Sequence, residues 1–235
     1  MEFADWADMI SEEIVHVNGH PKKLIIFLHG YQDCAGHIEH KTVGLQQLKD
    51  VALHIPEAPF LSEVDNTTRQ WFSIRQFDPN DARRDTPSWE EFVELYNKMT
   101  VGLETAYQNI MEYADNLLND YQLDYADLFL CGFSQGSMCA MYSGLMCPEK
   151  IAGVISFGGI LAAQGYIENH YKSRPDVLLL HGREDEKIRI GALEFTAQNL
   201  RNLGCSVEQL SFAETAHKIT DEGIAAAMKF IRAHS

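Results

Sequence analysis

Along the chain, short apolar or alternating stretches repeatedly give way to longer ones in which apolar residues return every three or four positions. EIVHV (13–17), KLIIFL (23–28), VALHI (51–55), DLFLC (127–131), AGVISF (152–157), VLLL (177–180) and SVEQLSF (206–212) predict strands. Four of them are almost continuously apolar, as strands covered on both faces should be. Between them Leu103, Ala106, Ile110, Tyr113, Ala114, Leu117 and Tyr121 predict an amphipathic helix over 99–121. Leu193, Ala197 and Leu200 mark a second helix, closed by Gly204 at C′. A last helix starts after Thr220, with Asp221 and Glu222 at its positive end, and buries Ile224, Ala227, Met228 and Ile231. This alternation predicts an α/β fold: a mostly parallel central sheet of about seven strands with helices on both faces, in one domain over 1–235.

The segment RQFDPNDARRDTPSWEEF (75–92) breaks the pattern, being polar, rich in both charges and too long for a minimal connection. It is either an inserted surface loop or a small cap over a site. Within it, Pro87-Ser88-Trp89-Glu90-Glu91 has the form of a helix start with Ser88 as N-cap.

Composition narrows the partners. With 34 acidic against 19 basic residues the net charge is −15, and the basic hints, Lys22-Lys23 and Arg83-Arg84, are pairs, so nucleic acid and anionic membrane surfaces are excluded as expected partners. The start, MEFADWADMI, lacks the basic and apolar regions of an export signal, and no window approaches a membrane span. Five cysteines (Cys34, Cys131, Cys139, Cys147, Cys205) lie mostly inside apolar segments, which predicts reduced, packed thiols and a cytoplasmic protein.

The chemistry concentrates at LFLCGFSQGSMCAM (128–141), where Gly132-Phe133-Ser134-Gln135-Gly136 fits G-x-S-x-G between a predicted strand and a predicted helix. So sharp a turn exposes the serine hydroxyl and brings the chain so near itself that only glycine fits two residues to either side. A serine hydroxyl is a weak nucleophile at neutral pH and needs a base, which in turn needs an acid to hold its tautomer. The acid is expected after the next-to-last strand, in VLLLHGREDEKI. Asp185 is the choice there, with Glu184 and Glu186 still open on spacing alone and Asp176 disfavoured because it precedes the strand. The base is expected in the loop before the final helix, which holds one histidine, His217. His29 and His181 end strands in His-Gly pairs and fit structural roles; His37 and His40 with Glu39 lack a recognised metal spacing. No cofactor or metal is expected. The backbone N–H groups of Gln135 and Tyr31, the latter in the HGYQDCAG loop, are the expected oxyanion donors. Trp71 and Phe72 are candidate pocket-wall residues, and as large aromatics they fit a core role as well.

FLHGYQD, RQWFSI, CGFSQGS, LLHGREDEKI and TAHKI stand in the order of the phospholipase/carboxylesterase family of α/β-hydrolases, which includes the acyl-protein thioesterases, and from about residue 22 onward the chain resembles that family. The resemblance implies a nearly lidless α/β-hydrolase with a Ser134-His217-Asp185 triad, acting on carboxylic esters or thioesters of acyl chains, among them lysophospholipids and acylated proteins. The chain departs from the family pattern at Gln32, Ser137 and Ala216, where glycine is usual, and in the length of 75–92. If position 32 needs a positive φ, Gln32 alters the oxyanion loop. Two other readings on the same scaffold are a serine peptidase, which usually carries a propeller or large cap, and a non-catalytic ligand-binding module. Oligomeric state is open, a homodimer included.

Overall fold

The structure, a computed structural model, describes residue 10, residues 13–85 and residues 88–234. Thr86 and Pro87, the latter part of the helix start read from the sequence, lie outside the described residues, as does most of the MEFADWADMI stretch.

Nine strands are described: β1 (Glu13–Asn18), β2 (Lys23–Leu28), β3 (Val51–Pro56), β4 (Phe60–Leu61), β5 (Arg69–Gln70), β6 (Leu128–Phe133), β7 (Gly153–Phe157), β8 (Val177–Gly182) and β9 (Val207–Phe212). Seven of them form one sheet in the order β1-β3-β2-β6-β7-β8-β9, and β4 pairs with β5 in a small hairpin. All seven predicted strands are present. The large sheet is parallel except for β1, which runs antiparallel to β3. The inner strands β2, β3, β6, β7 and β8 are each buried almost throughout, the four apolar runs among them. The edge strands β1 and β9 instead alternate between covered and exposed positions, because only one of their faces is covered by packing.

The helices are α1 (Ala35–Lys41), α2 (Val43–Gln46), α3 (Ala82–Asp85), α4 (Trp89–Asn97), α5 (Thr100–Tyr121), α6 (Gln135–Met146), α7 (Gln164–His170), α8 (Gly191–Asn202) and α9 (Asp221–Ala233). Side chains of one parity along the central strands (Leu24, Ile26, Leu128, Leu130, Val154, Leu179) pack with α5, α6 and α8. Those of the other parity (Ile25, Phe27, Phe129, Cys131, Ile155, Leu178) pack with α1 and α9. This two-sided burial is why α6 is covered all round, lying between the sheet and α5. The predicted stripe on α5 is buried apart from Tyr113 and Tyr121, which stay partly covered. On α9, Thr220 caps the start by accepting from the Gly223 N–H; Ile224, Ala227 and Ile231 are buried, Phe230 joins them, and Met228 is half-buried.

Chain order reverses between β2 and β6: the chain moves outward from β2 to β3, then crosses back to place β6 on the other side of β2. In sheets of this kind such a reversal opens a crevice at the carboxyl ends of the strands, where ligands bind. Tyr31 follows β2 and Ser134 follows β6, so both lie at that reversal.

Candidate active site

Ser134 stands between β6 and α6 with φ 54° and ψ −114°, a conformation that costs a non-glycine residue about 1–3 kcal/mol. The surroundings hold it there. Its N–H donates to the Phe157 carbonyl at 2.9 Å, and its own carbonyl accepts from the N–H groups of Ser137 and Met138 at 3.1 and 3.2 Å. The two flanking glycines supply the room. A Cβ on Gly132 would lie 2.3 Å from the carbonyl carbon and oxygen of Gly136, and one on Gly136 would lie 2.1 Å from the Leu28 carbonyl oxygen. Those neighbours are backbone and have no slack, so the glycine spacing reflects crowding at the crossing of β2, β6 and α6.

Asp185 lies in the turn after β8 and His217 in the loop after β9, and their side chains meet: His217 Nδ1 donates to Asp185 Oδ2 at 2.7 Å. The other carboxylate oxygen accepts from the N–H groups of Lys187 and Ile188, both at 2.8 Å. Burial would raise the Asp185 carboxyl, but the His217 bond and charge, with the Ile188 N–H, bring it below the usual carboxylate range. Asp185 is buried, whereas Glu184 and Glu186 are exposed, and Asp176 is tied to Lys150 at 3.0 Å. Among the acidic candidates left open by spacing, Asp185 is therefore the one that touches His217. The His217 ring packs on Phe133, the residue before Ser134, with centroids 4.7 Å apart.

Ser134, Gln135, Tyr31 and His217 all line one cavity of about 160 Å³. Ile74, Tyr96, Met138 and Ile188 give it apolar wall, and Gln32, Arg83, Arg84 and Lys187 give it polar wall. Of these, Arg83 and Arg84 come from the 75–92 segment, which thus reaches the site. The segment's helix begins as read: Ser88 accepts from the Glu91 N–H at 3.1 Å, and Trp89 anchors α4 by stacking on Phe92 and meeting Phe195 of α8 edge-on.

Of the two roles open to Trp71 and Phe72, the wall of the Ser134 cavity is not the one they take. Trp71 is wholly buried, its indole donating to the His29 carbonyl at 2.9 Å, and Phe72 lines a neighbouring groove with Phe60 and Phe77. Neither lines the Ser134 cavity. Their backbone is instead held by the buried Gln135 side chain, whose Oε1 accepts from Trp71 N–H at 3.0 Å and whose Nε2 donates to Phe72 carbonyl at 2.8 Å. A glutamine directly after the serine thus ties the β5 loop to the elbow. The cavity residues Ile74, Tyr96, Met138 and Lys187 carried no signal in the sequence, because their placement depends on how separate loops fold over the sheet.

His29 and His181 take the structural roles expected of them. His29 Nε2 accepts from Ala58 N–H at 3.0 Å, so Nδ1 carries the proton and donates to the Gly30 carbonyl at 2.8 Å. Burial pushes its pKa down to about 4, so it stays neutral at pH 7. His181 Nε2 donates to the Ile188 carbonyl at 2.8 Å and fixes the turn that carries Asp185. Gln32 does adopt a positive φ, 57°, with its N–H bonded to the Arg69 carbonyl at 3.1 Å. The loop expected to supply an oxyanion donor thus holds a glutamine in a conformation that glycine would take without strain. His37 pairs with Asp33 and Glu39 with His16, so the residues weighed as a metal cluster turn to different partners. All five cysteines are free and four are buried, Cys34 being partly exposed.

The sequence profile of the phospholipase/carboxylesterase family matches residues 9–235. The chain is 25% identical over 202 residues to acyl-protein thioesterase 1 of Saccharomyces cerevisiae, covering 81% of this chain and 82% of the relative. It is 23% identical over 223 residues to acyl-protein thioesterase 1 of Gibberella zeae, covering 88% of each. Among solved structures, esterase PE8 superimposes with a TM-score of 0.81 at 26% identity, covering 95% of this chain and 98% of that one.

Proposed function

Since the chain belongs to the phospholipase/carboxylesterase family of α/β-hydrolases and is a carboxylic ester hydrolase, we propose that it cleaves acyl esters or thioesters through a covalent acyl-enzyme on Ser134. His217 takes the serine proton through Nε2, the ring nitrogen left over once Nδ1 donates to Asp185. The serine oxygen adds to the acyl carbonyl, and the N–H groups of Tyr31 and Gln135 receive the charge that develops on the carbonyl oxygen. His217 returns its proton to the departing alcohol or thiol, and the same base then activates the water that releases the acid. Asp185 stays ionised throughout, holding the tautomer and stabilising the imidazolium. The 75–92 segment acts as a partial cap, contributing wall and not catalytic groups.

The observation that carries this reading is the meeting of Asp185 and His217 at the cavity that Ser134 lines. The strained serine, held by three backbone hydrogen bonds, supports it further. Acylated proteins and lysophospholipids are substrate classes within this chemistry, the former suggested by the names of the fungal relatives. No helix among the described residues is long and apolar enough to cross a membrane, and the unpaired thiols fit a cytoplasmic setting. The test is active-site labelling with a fluorophosphonate probe together with hydrolysis of 4-nitrophenyl butyrate. Wild type is labelled and turns over; Ser134→Ala does neither. A folded wild type that neither labels nor hydrolyses overturns the proposal, and binding without turnover favours a receptor role.

A further inference from the structure

The wall of the Ser134 cavity contradicts the charge of the molecule around it. The chain carries 34 acidic and 19 basic residues, yet this wall holds Arg83, Arg84 and Lys187 and, among the described residues, no aspartate or glutamate. We infer that the ester or thioester cleaved here carries a negative charge close to its scissile bond, gripped by Arg83 and flanked by Arg84 and Lys187. This rests on the hydrolase reading above and names the substrate class for that site.

Arg83 carries the argument. It is only 6% exposed, and its partner Asp78 is 2% exposed, with Asp78 Oδ2 accepting from Nη1 at 2.6 Å. Burying such a pair costs desolvation that the mutual attraction barely offsets, so stability alone is a poor reason for having it. Asp78 also accepts the N–H groups of Ala82 and Arg83, at 2.7 and 3.2 Å, and so fixes the short turn that presents the guanidinium. Asp81 joins at the same nitrogen, Nη1, at 2.8 Å. Neither carboxylate lines the cavity. A guanidinium carries five donors in a planar fork, so pairing through one nitrogen positions the group while leaving donors for an anion. Arg84 and Lys187 are exposed and place two further cations at the same wall.

Size limits what accompanies the charge. A cavity near 150 Å³ holds a molecule about as large as benzene, so the roughly 160 Å³ beside Ser134 seats a short group next to the scissile bond. A carboxylate at the end of a short acyl chain, or a phosphate on the leaving group, presents the same chemistry to a guanidinium.

Two substrate pairs distinguish these sources. The acyl-side pair is mono-4-nitrophenyl glutarate against the neutral 4-nitrophenyl pentanoate; the leaving-group pair is butyrylglycerol 3-phosphate against butyrylglycerol. In at least one pair the charged member is preferred by about tenfold or more in kcat/KM at low salt, and the pair showing it locates the charge. In the Arg84→Gln/Lys187→Gln double variant, and more so in Arg83→Gln, that ratio falls. Because Arg83→Gln strands Asp78 and can unfold the protein, the exposed double variant carries the test independently. Calorimetry of glutarate and glycerol 3-phosphate on the Ser134→Ala protein reads the anion site without turnover. Equal kcat/KM within both pairs together with no anion binding overturns the inference. Anion binding in a wild type that hydrolyses nothing keeps the anion site and removes the hydrolase.

Discussion

The two sides of the cavity are built differently. The serine side is the carboxyl edge of a parallel sheet, where Gly132 and Gly136 flank Ser134 so closely that a methyl group added to either would overlap backbone atoms. The opposite side is a polar segment with two short helices, held by one serine cap, a buried ion pair and the stacking of Trp89. The first side tolerates almost no change and is where we propose that the bond is broken. The second has room to vary and sets what the chemistry is offered. Rigidity therefore falls where transition-state geometry needs it, and adaptability where a substrate is chosen.

The sharpest break in this comparison comes from Asp185→Asn. Asp185 Oδ1 still has its two backbone donors to accept, but the amide nitrogen would then face Nδ1 of His217. The imidazole has to move its proton to Nε2, where the serine needs an acceptor. We expect kcat for 4-nitrophenyl butyrate to fall by about 10⁴-fold with circular dichroism unchanged; a loss under tenfold removes Asp185 from the mechanism. Next in size is Gly136→Ala, which sets a Cβ against the Leu28 and His29 carbonyls at 2.1 and 2.5 Å. Backbone cannot yield as a side-chain end would, so stability falls by about 3 kcal/mol or more, read as the urea midpoint. A midpoint equal to wild type means that the elbow is looser than its geometry.

The same contrast decides what a reader of the sequence is able to see. The five inner strands of the sheet were legible because burial on both faces writes an apolar run, and the edge strands β1 and β9 because one covered face writes an alternation. Ser134 and His217 were legible because crowding admits only glycine around the one and chain order leaves a single histidine for the other. Asp185 needed the structure to separate it from Glu184 and Glu186, since three adjacent acids differ only in which one is folded inward. The cationic wall was not legible. Arg83 and Arg84 read only as a basic pair inside a polar segment, and nothing local says that Asp78, five residues earlier, draws the first of them under cover. Trp71 and Phe72 stayed open between wall and core for a related reason: an aromatic pair after a strand suits both, and only the structure shows Trp71 buried and Phe72 on a neighbouring groove.

Smaller effects separate the two sides further. Ser88→Ala removes the oxygen that accepts from Glu91 N–H at the start of α4. Loss of such a cap costs about 1 kcal/mol, or about 2–4 °C in Tm for a chain of this size. Because Ser88 touches neither Ser134 nor His217, kcat for a neutral ester stays at the wild-type value while Tm drops. A large loss of kcat would mean that the cap positions the catalytic groups, and the division between the two sides would fail.

The smallest effect lies at their junction, Gln32, which lines the cavity and holds φ at 57°. A left-handed conformation costs a residue with a Cβ about 1–2 kcal/mol. Glycine at the same place is free of that cost but has more freedom to lose on folding, about 0.4–1 kcal/mol. Gln32→Gly should therefore raise stability by about 0.8 kcal/mol, the difference of the two midpoints, and urea unfolding checks it. The Gln32 N–H to Arg69 carbonyl bond does not depend on the side chain, so the loop that presents the Tyr31 N–H keeps its shape. Loss of stability on making the glycine would show that the Gln32 side chain contributes more to the cavity wall than its backbone costs, and would move this residue from the rigid side of the comparison to the adaptable one.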